Sequence, residues 1–132
     1  MKTLIVEDDT SSSLLLRKML EPFGACEFAV NGKDAVAKCR AARESGQPFH
    51  LVCLDIMMPE MDGQAALIAI RAHEADLKCL PSRATKIVMT TALRDLESVT
   101  HAYSELCDGY LTKPISRDRL VAVLEELELV ER

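Results

Sequence analysis

The sequence contains no apolar run approaching 18 residues, so it offers no candidate membrane span. It has no CxxC pair. Cys26, Cys39, Cys53, Cys79 and Cys107 are odd in number and far apart, which argues against a zinc site or a dithiol redox motif. It lacks a basic stripe: residues 1–66 carry 7 basic and 10 acidic side chains, residues 67–132 carry 9 and 11, and the net charge is −5. A chain so balanced does not track phosphates, and no nucleic-acid partner is expected. The opening residues turn acidic at Glu7, too soon for a signal peptide. Isolated cysteines without a secretory signal fit a reducing compartment, so a cytoplasmic location with free thiols is expected. Internal repeats, low-complexity segments and linkers are also missing.

What is present is a chain of 132 residues, 48% of them apolar. That length suits one domain spanning 1–132, with a core large enough to need no staple. Short apolar runs alternate with helically spaced stretches. Leu4-Ile5-Val6 reads as a strand, and Leu15, Leu16, Met19, Leu20 and Phe23 place a helix over 12–23, closed by Gly24. Ala25 to Val30 reads as a weaker strand. Asn31 is placed to cap a second helix with Ala35, Val36 and Cys39 on its buried side. Leu51 to Leu54 and Ile87 to Met89 are continuous apolar runs, as strands buried on both faces require. Ala66, Leu67 and Ile70 mark a third helix, and residues 75–84 read as a long connection. A poorly patterned fourth helix over 95–105 precedes a short strand at Gly109-Tyr110-Leu111. Ser116 caps a fifth helix through Leu120, Val123, Leu124 and Leu127. Five strands alternating with five helices predict an α/β fold, a doubly wound parallel sheet.

Ligands bind beyond the carboxyl ends of the strands in such a sheet. Those ends carry Glu7-Asp8-Asp9, Asp55, Thr90-Thr91 and Lys113. Gathered carboxylates repel one another and call for a cation, and an oxygen-only donor set suits Mg2+. A carboxylate beside magnesium and a lysine is a nucleophile suited to phosphorus. No glycine loop cradles a phosphate, so the phosphoryl group need not arrive on a nucleotide.

Four motifs then stand in order: Leu4-Ile5-Val6-Glu7-Asp8-Asp9; Leu54-Asp55-Ile56-Met57-Met58-Pro59-Glu60-Met61-Asp62-Gly63; Thr91-Ala92; and Gly109-Tyr110-Leu111-Thr112-Lys113-Pro114. Together they resemble, end to end, the receiver domain of two-component response regulators. The resemblance implies a flavodoxin-like five-stranded sheet of order 2-1-3-4-5. It implies that Asp55 is the phospho-acceptor and that Asp8 is a direct metal ligand. Glu7 then helps through water, and the Met57 carbonyl completes the protein ligands. Thr91 becomes the switch hydroxyl, Lys113 the phosphate-pairing ammonium and Tyr110 the aromatic rotamer switch, and the Lys113-Pro114 bond is cis. The donor would be a histidine kinase or phosphotransfer protein, and the target would dock on the face of the fourth helix, fifth strand and fifth helix. Such a domain is no enzyme toward a separate substrate; it supports its own phosphoryl transfer and slow self-dephosphorylation.

Simpler roles compete at several positions. Asp8 and Asp9 can be a helix cap or solvated acids, Thr90 rivals Thr91, and Asp62-Gly63 reads as turn and helix-start chemistry. Met57, Met58 and Met61 read as loop packing, and His50, His73 and His101 share no ligand spacing. A haloacid-dehalogenase-type hydrolase would want an acid where Met57 stands. A flavin module would want a phosphate loop, of which Thr10-Ser11-Ser12-Ser13 is a faint echo. A receiver that works without phosphorylation would not need all five site residues.

Overall fold

Apolar strands and one-sided helices bury all their apolar surface when helices cover both faces of a parallel sheet. The computed structural model, which describes residues 1–56 and 63–131, is built this way. Its strands are β1 (Thr3–Val6), β2 (Cys26–Ala29), β3 (Leu51–Asp55), β4 (Lys86–Ala92) and β5 (Gly109–Lys113). The helices between and after them are α1 (Thr10–Leu20), α2 (Gly32–Glu44), α3 (Gly63–Asp76), α4 (Leu96–Tyr103) and α5 (Arg117–Glu126). All pairings are parallel and the strand order is β2-β1-β3-β4-β5, as the sequence motifs implied.

Alternation along each strand splits the core in two. Ile5, Cys53, Val88 and Leu111 meet Leu16 and Leu20 of α1 and Leu120 and Leu124 of α5. Leu4, Val6, Val52, Leu54, Ile87 and Met89 meet Ala35 and Val36 of α2 and Ala66, Leu67 and Ile70 of α3. β3 is buried at every position, whereas the edge strand β2 is buried only at Ala29. Helix starts follow local chemistry. The Asn31 side chain accepts from Asp34 N at 2.7 Å, and Ser116 Oγ accepts from Arg119 N at 3.2 Å.

Two boundaries differ from the periodicity. The helix expected over 12–23 ends at Leu20 and tightens into a 3₁₀ turn at Glu21–Phe23. Pro22 has no N–H to continue the ladder. Gly24 then takes φ 148°, where a Cβ would also run into the Met1 carbonyl. Leu15, expected in the buried stripe, is 49% exposed while Leu16 is buried, since adjacent helical residues diverge by about 100°. The stretch expected as a connection, 75–84, begins inside α3 and contains a 3₁₀ turn at Pro81–Arg83. No described helix is long and apolar enough to cross a membrane. All five cysteines are free, and burial pushes the Cys39 and Cys53 thiols up to about 12.

Candidate functional site

Parallel register sets the carboxyl ends of β1, β3, β4 and β5 side by side. Val6 lies beside Leu54, Asp55 beside Thr90, and Ala92 beside Lys113. Each strand end therefore delivers its polar residue to one edge. The Glu7 and Asp55 side chains are buried, at 5% and 4% exposure, while Asp8 is exposed. One carboxylate oxygen from each of Glu7, Asp8 and Asp55 lies within 4.8 Å of the other two. Lys113 Nζ reaches both Glu7 Oε2 and Asp55 Oδ2 at 3.2 Å.

The acids of the first strand end divide their work. Asp9 turns away as the N-cap of α1, its Oδ2 accepting from Ser12 N at 3.0 Å and from Ser12 Oγ at 2.6 Å. Those bonds hold its carboxyl below the usual range. Glu7 turns inward and accepts from Asp9 N at 3.3 Å. Burial, reinforced by the neighbouring Asp55 and only partly offset by Lys113, raises Glu7 to about 7. Burial pulls Lys113 down, but Asp55 and Glu7 outweigh it and the ammonium sits above its usual value. Three carboxylates against one ammonium leave an excess of negative charge. The donors are all oxygen, so the set fits a hard divalent cation.

Thr90 and Thr91 are both buried, at 1% and 3% exposure. Register puts Thr90 directly opposite Asp55, on Asp55's face of the sheet. Thr91 lies on the other face, opposite Thr112, and Tyr110 shares that face two residues earlier. The Thr91 hydroxyl donates to the Ala92 carbonyl at 3.2 Å. Tyr110 packs against the α2–α3 core, in the cluster that includes Cys107. Burial first, and the neighbouring Cys107 second, push the phenol above its ordinary value. The Lys113-Pro114 peptide is cis. Met57, with Met58, Met61 and Asp62, lies outside the described residues.

Three features were not found by reading motifs. A Cβ on Gly63 would strike the Asp55 carbonyl and Ile56 Cα, and Gly63 N donates to Ile56 O at 3.0 Å. Only glycine lets α3 start that close beneath Asp55. The second is the packing of Tyr110 against the cluster that holds Cys107, an i,i+3 spacing that carries no motif. The third is an ion network at the opposite edge, joining half-buried Arg43 and Arg71 to buried Glu74 and exposed Asp108. Its partners lie up to 37 residues apart, so no local pattern announces them.

Known proteins place this geometry. Sensor protein GacS of Pseudomonas syringae pv. syringae is 36% identical over 123 residues, covering 93% of this chain and 13% of that protein. The chain spans between 3% and 13% of the length of five such histidine kinases. A chain from the co-crystal structure of the Saccharomyces cerevisiae histidine phosphotransfer protein Ypd1 with the receiver domain of its response regulator Ssk1 superposes with TM-score 0.78. It is 25% identical, and the match covers 99% of this chain and 92% of that one. The receiver domain of sensor histidine kinase PA1611 from Pseudomonas aeruginosa PAO1 shares the fold, with TM-score 0.75 and 24% identity over 95% of this chain and 94% of that one. That crystal structure holds a magnesium ion in its active site cleft. The family model of the response regulator receiver domain matches residues 3–125, and the chain belongs to that family.

Proposed function

We propose that this chain takes a phosphoryl group from a phosphohistidine onto Asp55 and signals by binding a target protein in its phosphorylated form. The observation that carries the reading is the buried Asp55 carboxylate, 3.2 Å from Lys113 Nζ and grouped with Glu7 and Asp8 at the strand ends. An Asp55 oxygen attacks phosphorus. The new O–P bond forms as the P–N bond to the donor's imidazole breaks, and the imidazole leaves with the electron pair. The donor is a histidine kinase or a phosphotransfer protein. Lys113 holds Asp55 in place and pairs with the incoming phosphoryl oxygens.

Asp8 and Asp55 would hold Mg2+ directly, with Glu7 acting through water and the Met57 carbonyl completing the protein ligands. Bound there, the ion supplies Lewis-acid neutralisation of the phosphoryl charge. The chain acts on no separate substrate beyond this self-modification and its slow reversal. The free cysteines fit work in a reducing cytoplasm.

Thr91 serves as the switch hydroxyl, drawn toward the new dianion and opening room for Tyr110; the face shared by the two residues supports this. The target docks on the face of α4, β5 and α5, which includes Tyr110. One observation favours a second reading: Thr90, not Thr91, stands opposite Asp55. Thr91→Ala and Thr90→Ala should both accept phosphoryl from a small donor. Only Thr91→Ala should lose the difference in target affinity between the two states. Loss in Thr90→Ala instead transfers the role to Thr90.

The main test is intact-mass spectrometry after incubation with acetyl phosphate and magnesium. The wild type should gain one phosphoryl group, chelator should suppress it, and Asp55→Asn should gain none. Full labelling of Asp55→Asn overturns the assignment.

A further inference from the structure

The amino edge of the sheet carries a cleft whose charge is opposite to that of the chain. β1, β3 and β4 run side by side, with Thr3 beside Leu51 and Leu51 beside Lys86. Lys2, His50 and Lys86 stand at their amino ends. Adjacent strands lie about 4.8 Å apart, so the row from Lys2 to Lys86 spans roughly 10 Å. These residues line a cleft of about 990 Å³ together with Arg43 and Arg83, and Glu128 is the one acid among the described residues that line it. The chain as a whole carries −5. No basic stripe shows in the sequence because these side chains come from well-separated segments. By comparison, the pocket beside Glu7 and Lys113 holds about 390 Å³.

Some of these cations are already committed. Arg43 Nη2 meets Glu74 at 3.1 Å. Lys2 Nζ donates to the Gln47 carbonyl at 2.9 Å, lies 4.6 Å from the centre of the Phe49 ring and reaches Glu27 at 3.8 Å. The side chains of exposed Arg83 and half-buried Lys86 meet no carboxylate among the described residues. Lys2 N donates to His50 Nδ1 at 2.9 Å, so the proton of the neutral ring sits on Nε2, which is left as a donor. Pro48, Ala84, Leu127 and Leu129 give the cleft an apolar wall. Cations spread over such a span suit a ligand with more than one anionic group, and the wall suits a body with an apolar face. We infer that this cleft binds an organic polyphosphate, its phosphates on Lys86, Arg83 and His50 and its body against Leu127 and Leu129. The site is separate from Asp55, at the other end of the same strands. Without metal, the carboxylates gathered around Asp55 repel such a ligand, and the amino edge attracts it.

The probes are ADP, pyrophosphate and adenosine, titrated by calorimetry with chelator present so that no metal bridges a phosphate to Asp55. ADP should bind, pyrophosphate more weakly, and adenosine not measurably. Arg83→Gln with Lys86→Gln should weaken ADP binding about tenfold, through loss of charge-assisted hydrogen bonds. With magnesium and acetyl phosphate, the same double variant should label on Asp55 as the wild type does. The chain has three histidines, so labelled-histidine NMR reads the site directly in the wild type, whether or not the variant folds. The His50 signal, assigned with His50→Gln, should move on adding ADP, while that of His101 on α4 should stay. No heat and no His50 shift at millimolar ADP overturns the site. ADP binding undiminished in the double variant, or heat released with His50 unmoved, places the ligand elsewhere and overturns it too. Pyrophosphate binding as tight as that of ADP overturns the role of the apolar wall, and adenosine binding as tight overturns the role of the cations.

Discussion

The two edges of the sheet use the same kinds of side chain to opposite ends. At the amino edge, Arg43 and Arg71 face Glu74 and Asp108, two cations against two anions. Glu74 Oε1 takes Arg71, and Oε2 takes Arg43 and the Thr85 N–H. Arg43 continues to the Thr85 hydroxyl and the Arg83 carbonyl, and the Thr85 hydroxyl donates to the Phe49 carbonyl. At the carboxyl edge, Glu7 and Asp55 share the ammonium of Lys113, the one cation paired with them among the described residues, and Asp8 joins their cluster unpaired with it. The first cluster is complete, with charge neutralised and donors matched to acceptors. The second carries unneutralised charge in a buried place, and the rise of Glu7 to about 7 registers it. Buried charge holds a fold together when its partners are all supplied by the chain. It becomes a site when some must come from outside.

The largest effect expected is all-or-none: Asp55→Asn ends phosphoryl acceptance. The same change of acid to amide then separates the two edges by stability. Glu74→Gln takes the buried anion from two half-buried guanidinium groups, leaving Arg43 without a carboxylate and Arg71 with Asp108 alone, and should cost about 3 kcal/mol, roughly 10 °C in melting temperature. Asp55→Asn removes one of several crowded negative charges and should leave the melting temperature level or raised. Equal losses in both variants, read by thermal denaturation, would erase the distinction drawn here.

Lifetime comes next. Leu93, two positions past Thr91 and 71% exposed, and Met57, two positions past Asp55, are apolar and cannot orient an in-line water for attack on an acyl phosphate at Asp55. Met57→Asn with Leu93→Glu should speed decay of the phosphorylated protein about tenfold, ~1.4 kcal/mol of barrier. Unchanged decay assigns both residues to packing or partner contact.

Magnesium provides a similar-sized test of the comparison itself. At ten times its dissociation constant it should stabilise the wild type by about 1.4 kcal/mol. Glu74→Gln should keep that increment and Asp8→Ala should lose it. An increment that survives in Asp8→Ala places the ion elsewhere.

Some of this was legible residue by residue. Leu51 to Leu54 had to be a strand buried on both faces, because four successive apolar residues leave no polar side. Asn31 and Ser116 announced their helices, because a cap is a contact between neighbours three residues apart. The short strands and their polar ends, taken in order, placed Asp8, Asp55 and Lys113 on one edge, because parallel topology leaves no other edge for them.

Where the requirement came from a distant segment, the residues alone were silent. Asp8 and Asp9 read alike, and only folding separated a group facing Asp55 from a helix cap. Thr90 and Thr91 differ by one position, which in a strand means opposite faces, and only register shows which stands beside Asp55. Gly63 looked like turn chemistry until Asp55 was seen directly above it. By itself the sequence determined which segments form strands and helices, where most of them start and which polar groups end the strands. These rest on propensities, periods and caps acting over a few residues. The tertiary structure decided the raised proton affinity of Glu7, the pairing of Arg43 and Arg71 with Glu74 and Asp108, and the packing of Tyr110 against the cluster that holds Cys107. Each depends on groups that come together, or on burial that exists, only once the whole chain has packed.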